Sequence, residues 1–477
     1  MFKLLRRDRS FYRRLTSLAV PILLQNLISS SLGMVDTAMV GTLGQTELAG
    51  MSLANTPFFV AMLFVFGLQS GGAVLMSQYW GKRDAETINR VLGISWYFAG
   101  MASFIFATVI FLFPTQVMGL TTNNPALIDI AARYGKIVAY SYFVNALVTV
   151  FTGSLRSCER PRFGMVVVIT GMLSNVLFNW LLIFGNLGFP QLGVEGAAWG
   201  TLFARIIELL LMFGYIAFSK HKPFDLILRR LIIPGKLILK DFLKYSAPVI
   251  LNETLWGFGM SIFPVVYGHM AASEDIVAAY AVAGNIDRIV AVAIFAVANA
   301  TAVIIGKEIG AGATKNEVYD IGKTLGFISV LVGIASGALL ISVLFAFAKP
   351  LLFPLFSLTE NADRIATLML TLMSLALCFR SFNSTMIVGI LRGAGDVNFG
   401  LIFDVSTLWA YTVPLVAVFG LVLKLDILWV YVAIVSEEPI KALIGFLRFR
   451  SKKWIHNITR DMGSSASAPV AATIEQS

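Results

Sequence analysis

Apolar residues in this chain gather into long, nearly unbroken runs, and polar residues are confined to the short stretches between them. Runs of the roughly 20 residues that cross a bilayer as a helix fall at 15–42, 47–80, 89–113, 126–155, 163–186 and 195–219. A second set falls at 241–268, 275–306, 317–348, 361–391, 398–423 and 427–449. Several are longer than a perpendicular helix needs, so tilt, kinks or extension beyond the bilayer are expected. The pattern predicts an all-α membrane protein of twelve transmembrane helices.

The two sets share one plan. Each opens alike, with LAVPILLQN around Pro21 and YSAPVILNE around Pro248. Each second run ends alike, as AVLMSQYWGKRD from Ala73 and AVIIGKEIGAGA from Ala302, which puts Gly81 opposite Gly310. Each fourth run ends as GSLRSCERPRFG from Gly153 or GILRGAGDVNFG from Gly389. The offsets are 227, 229 and 236 residues, nearly constant over more than a hundred positions. Six spans separate equivalents, so both halves share one orientation and form a parallel repeat about an axis along the membrane normal. Two pseudo-symmetric six-helix lobes around a central cavity follow. The expected divisions are an N-terminal segment 1–14, an N-lobe 15–219, a linker 220–240, a C-lobe 241–449 and a tail 450–477.

Charge then orients the spans. The N-terminus, the even-numbered loops and the C-terminal flank hold 29 of the 37 Lys and Arg, while the odd-numbered loops hold Lys349, Arg364 and Lys424. Basic loops stay cytoplasmic, so both termini are expected inside a cell membrane. The net charge of +10 is thereby explained as topology and not as a nucleic-acid footprint. Composition agrees: 57% of residues are hydrophobic and 13% charged, against about 25% charged in soluble proteins. The basic-then-apolar N-terminus is read as a retained first span, because the run is too long for a signal peptide. The final GSSASAPVAATIEQS is expected to be a disordered cytoplasmic tail.

Within the first span stands one carboxylate, Asp36, with no Lys or Arg between Arg14 and Lys82. A carboxylate inside an apolar span costs about 2.5–3.5 kcal/mol on insertion scales. Either it snorkels to water near a helix end, or it faces a polar interior as a cation- or proton-binding group.

VDTAMVG at 35–41, the repeated GSLRSCERPRFG and GILRGAGDVNFG, NVLFNWLLIFG at 175–185 and LGVEGAAWGT at 192–201 together resemble the MATE (multidrug and toxic compound extrusion) transporters, over roughly residues 11–460. The resemblance implies twelve helices in two lobes and export of small amphipathic, often cationic substrates by Na⁺ or H⁺ antiport. It maps the coupling-ion site onto Asp36, Asn175, Asn179 and Thr201, with Asp36 as a possible Na⁺ ligand. Position 179 is Asp in some members, so Asn179 leaves Asp36 as the only carboxylate of the set. Helix geometry agrees, since Asp36, Asn179 and Thr201 each lie ~9–11 Å from the outer ends of their spans. Asn175 is one turn below Asn179 on the same face. Oxygen ligands at one level suit Na⁺, and a desolvated Asp also suits H⁺. The competing reading is a set of ordinary interhelical hydrogen bonds.

The C-lobe carries its own charges. Glu253 matches a Glu that some subfamilies use for Na⁺, but their partner Asp would fall at Ser381, beside Arg380. Glu253 and Arg380 share a depth of ~18 Å from the inner side, which predicts a buried ion pair with Asp287 and Arg288 nearby. Asp404 and the Glu437–Glu438 pair stay open in meaning, and Arg205 with Glu208 reads as a local i,i+3 pair. Phe58, Phe59, Phe64 and Phe66 with Met34, Met51 and Met62 form either an adaptable substrate wall or lipid-facing bulk.

Other classes find little support. Cys158 and Cys378 lack metal or disulfide spacing, and His221, His269 and His456 are scattered. No HExxH, GxSxG or phosphate-binding glycine loop marks an enzyme, and no cofactor beyond the coupling ion is expected. A lipid-linked oligosaccharide flippase of the same superfamily remains the alternative, with only Arg205, Arg288 and Arg380 to supply its cationic cavity. The expected partners are small molecules, the coupling ion and the bilayer, with the chain as a monomer.

Overall fold

The structure, a computed structural model, describes residues 7–219, 222–223, 235–353 and 358–460, without the side chains of 351 and 352. Most of the expected basic linker and the polar tail after residue 460 lie outside the described residues.

Among the described residues twelve long helices follow one another: α1 (Arg9–Gly41), α2 (Gln45–Gly81), α3 (Ala85–Leu112), α4 (Pro125–Ser157), α5 (Pro161–Phe184), α6 (Val194–Phe218), α7 (Lys236–Gly268), α8 (Ser273–Gly310), α9 (Lys315–Pro350), α10 (Glu360–Leu391), α11 (Val397–Val422) and α12 (Ile427–Arg450). A short helix, Pro114–Gly119, fills the connection after α3. The later parts of α9, α10 and α11 run partly as wider π-type turns, which are usually single inserted turns inside α-helices. Eleven of the twelve are long and apolar enough to cross a membrane. The exception is α12, which carries Glu437, Glu438 and Lys441 in its middle.

Local signals start the helices where the polar gaps fall. Pro125 and Pro161 occupy the first positions of α4 and α5, where the missing N–H is no loss. The Asp84 carboxylate accepts from the Thr87 N–H at the head of α3. Thr314 and Glu317 close a reciprocal capping box at the head of α9, satisfying two otherwise unpaired donors.

The lobes interlock by exchanging helix faces. Leu15, Leu18 and Ile22 of α1 pack among Ala300, Val303 and Ile304 of α8. In mirror fashion, Phe242 and Val249 of α7 pack among Val65, Leu68 and Leu75 of α2. Leu15 and Phe242, like Ile22 and Val249, are 227 residues apart, the offset of the repeat. The pseudo-symmetry read from the sequence therefore extends to which side chain fills which groove.

At the end bearing the basic loops, the seam is tight. A Cβ on Gly81 would collide with the Lys307 carbonyl, and one on Gly310 with the Gln78 carbonyl. These two equivalent glycines let α2 and α8 cross backbone to backbone, as small residues do in membrane helices. Charge then locks the crossing. Arg14 of α1 reaches Glu159 at 2.5 Å and Glu308 of α8 at 2.5 Å. Glu159 also holds Lys307 of α8 at 2.5 Å and accepts from the Trp80 indole at 3.3 Å. Beyond α12, residues 455–460 strap across α2: the Ile458 N–H donates to Gln78 Oε1 at 2.9 Å, and Gln78 Nε2 donates to the carbonyls of Gly393 and His456. Arg460 ends the strap in a two-bond pair with Asp241 of α7.

Candidate functional site

The four N-lobe residues form one hydrogen-bonded chain. Asp36 Oδ1 accepts from Asn179 Nδ2 at 2.6 Å, the same Nδ2 donates to Asn175 Oδ1 at 3.1 Å, and Asn175 Nδ2 donates to Thr201 Oγ1 at 3.3 Å. Three helices supply them: Asp36 from α1, the two asparagines one turn apart on α5, and Thr201 from α6. Asn175 and Asn179 are fully buried, while Asp36 keeps partial exposure. Tyr134 of α4, also buried, interacts with Thr201 from behind.

A carboxylate only accepts, so the Asn179 amide turns its nitrogen toward Asp36. Its oxygen, Oδ1, is left buried without a hydrogen-bond partner. Gly200 makes this possible, for a Cβ there would strike that oxygen. Tyr134 and Gly200 are absent from the set mapped by resemblance. Gly200 had a signal: Gly196 and Gly200 are spaced GxxxG in GAAWG, the pattern of close helix approach. Tyr134 had none, because nothing along α4 marks which face meets α6.

The chain resembles known proteins over most of its length. The family model described as MatE matches it twice, over residues 21–181 and 248–418, one match in each lobe. The chain belongs to the MatE family. Among the relatives of this MatE transporter is "Uncharacterized transporter YisQ" of Bacillus subtilis, 25% identical over 94% of this chain and 96% of that protein. "Probable multidrug resistance protein YoeA" of the same organism is 26% identical over 93% and 95%. The solved structure of a MOP superfamily transporter from Pyrococcus furiosus superposes with a TM-score of 0.81, at 22% identity, over 94% of this chain and 97% of that one. That last likeness is one of fold.

The C-lobe of the MatE chain corrects one expectation. Arg380 does not pair with Glu253. It bonds Asp287 of α8 at 2.5 Å, and Glu253 of α7 bonds Arg392, the residue that caps α10, at 2.6 Å. Counting from span ends misjudged the depth: Arg392 lies roughly 18 Å of helix rise beyond Arg380, so Glu253 is out of reach of Arg380, which meets α8 instead. Arg288 is exposed and joins no ion pair among the described residues. Ser381, where a partner Asp would stand, donates to the Ser329 carbonyl instead.

Two further ionic groupings lie in the MatE core. Arg205 and Glu208 pair at 2.7 Å, as their spacing predicts. Lys441, counted above with the C-terminal flank, is buried in mid-helix between Asp404 at 2.7 Å and Glu437 at 2.5 Å. Asn252 donates to Asp404, and Thr412 to Glu437. Glu438 is held separately by Asn383. The supposed aromatic and methionine wall does not form one surface. Met51 is in the core, Phe58 packs on Tyr142 at 5.0 Å, and Met34 and Phe59 are exposed.

Proposed function

We propose that this protein is a secondary active exporter of small amphipathic, often cationic compounds, working by alternating access and driven by inward Na⁺ or H⁺. The membership in the MatE family and the relative named a probable multidrug resistance protein support the transport class. The basic loops support a cell-membrane orientation with both termini cytoplasmic. On that orientation the tight seam lies on the cytoplasmic side.

The observation that carries the coupling is the Asp36–Asn179–Asn175–Thr201 chain with its idle Asn179 oxygen. In the empty, ionised site the Asn179 nitrogen serves Asp36. A cation arriving at Asp36 needs oxygens, so the Asn179 amide turns over and offers Oδ1. A proton on Asp36 meets the same need, because the carboxyl group becomes a donor and that oxygen its acceptor. Either ligand rewires contacts between α1, α5 and α6, which is the differential interaction that lets ion and substrate affect one another. Of the arginines expected to serve the flippase reading, Arg205 and Arg380 are paired with Glu208 and Asp287, and Arg288 is exposed.

The test is reconstitution of the wild type and Asp36→Asn into vesicles, with dye export measured under imposed Na⁺ and pH gradients. Gradient-driven export that Asp36→Asn loses, while the variant still binds dye and melts as a folded protein, is the expected result. Wild-type export rates with unchanged ion dependence in Asp36→Asn would overturn the reading.

A further inference from the structure

The floor of the cleft between the lobes carries an unequal pair of arginines. Arg156 ends α4 and Arg392 stands in the equivalent motif at the end of α10, 236 residues later. Both line one small interlobe pocket, open on one side, together with Gln69, Ser70, Ser157 and Asn299. Arg392 is 4% exposed and fully served: Glu253 binds Nη2 at 2.6 Å, and Ser70 accepts from Nη1 at 3.2 Å. Arg156 differs. Its Nη2 donates to the neutral Gln25 side chain at 3.3 Å, its Nε is buried with no hydrogen-bond partner, and no carboxylate among the described residues pairs with it.

Two guanidinium groups and one carboxylate leave this cavity with a net positive charge. A buried charge is tolerated when it is paired, and the equivalent arginine shows what such pairing looks like in this fold. Nearby acidic groups do not supply it to Arg156. Glu159 is taken up by Arg14, Lys307 and Trp80, and Glu308 by Arg14. A planar guanidinium with idle donors matches a carboxylate in shape as well as charge.

We propose that Arg156 forms, with Arg392, an anion-binding subsite at the cleft floor that receives the carboxylate of zwitterionic amphipathic substrates. The inference deepens the export reading above and rests on it for the word substrate. It adds a selectivity that Asp36 does not provide: the cleft distinguishes a free acid from its ester. Glu253 tempers the subsite by neutralising one arginine of the two.

The experiment uses the purified full-length protein in detergent and a matched pair of probes, a rhodamine free acid and its ethyl ester, read by fluorescence anisotropy. Wild type should bind the acid about tenfold more tightly than the ester, a ratio equivalent to 1.4 kcal/mol. Arg156→Gln should bring the ratio to about one, and Arg156→Lys should restore part of it. Glu253→Gln frees the charge of Arg392 and should raise the ratio above wild type, which tests the subsite even where an Arg156 variant fails to fold. Excess inorganic phosphate should displace the acid poorly. A wild-type ratio near one, a ratio unmoved by both Arg156→Gln and Glu253→Gln, or full displacement by phosphate would each overturn the proposal. Acid-selective binding without gradient-driven export would leave the subsite standing and sink the export reading instead.

Discussion

Glu159 and Gly395 hold equivalent corners of the two repeats, with left-handed backbones of φ 57° and φ 79°. Glycine takes that conformation freely; a glutamate there costs about 1–2 kcal/mol. The N-lobe bears this cost at the residue that joins Arg14, Lys307 and Trp80 across the seam. Removing the side chain and relaxing the backbone can therefore be separated. Glu159→Gln should lose about 1–3 kcal/mol of charge-assisted bonding, whereas Glu159→Gly should lose the same bonds but recover the strain. Thermal unfolding should rank Glu159→Gln below Glu159→Gly. Both should widen the distance between spin labels at Arg162 and Lys315. Equal melting of the two variants would refute the strain argument.

The same clasp sets a pH dependence. Burial alone would push the Glu159 carboxyl up, but Arg14 and Lys307 outweigh it and hold the group below its ordinary value of 4.5. The folded state thus binds fewer protons at this group than the unfolded chain does. Its contribution is complete above pH 4.5 and disappears as pH falls through the depressed folded value. Label distances across the seam should lengthen on acidification in the wild type, and not in Glu159→Gln, which starts long.

Gly81 and Gly310 leave no room for a methyl group, because their neighbours are backbone carbonyls that cannot swing aside. Gly81→Ala and Gly310→Ala should each disfavour the closed seam by roughly 1–3 kcal/mol, the usual cost of overpacking. Cysteine pairs placed across α2 and α8 near Gln78 and Lys307 should then cross-link more slowly than in wild type. Unchanged cross-linking would mean that the helices cross less closely than described.

Arg380 and Asp287 are partners at 2.5 Å. Removing either should cost about 3–5 kcal/mol, and removing both should cost much less than the sum. The cycle of Arg380 with Glu253 should show weak coupling by comparison. Denaturation of the single and double variants measures both.

The helices, the two-lobed repeat and the equivalence of Gly81 with Gly310 were legible in the sequence, because span length, offset and small residues are properties of the chain itself. The chain of Asp36, Asn179, Asn175 and Thr201 was legible through motif resemblance and depth. What counting from span ends does not carry is true depth: Glu253 meets Arg392, roughly 18 Å of helix rise beyond Arg380, so Arg380 and Glu253 are not level. Lys441 misled for a related reason. A base near a terminus reads as a loop residue until Asp404, from another helix, is seen to meet it. Glu159 was hidden by the repeat itself, since its partner position holds glycine and only the three-dimensional corner shows why a side chain there matters.

The strap of residues 455–460 turns one backbone amide into a clock. The Ile458 N–H is tied to Gln78 in the opposite lobe, so it exchanges with deuterium only when that cross-lobe tie lets go. Exchange at this single amide, set against amides inside α2, would report how often the basic-loop end of the seam parts without any label or substitution. A fusion partner attached after residue 477 would pull on the same cord, and its effect would register first as faster exchange at Ile458.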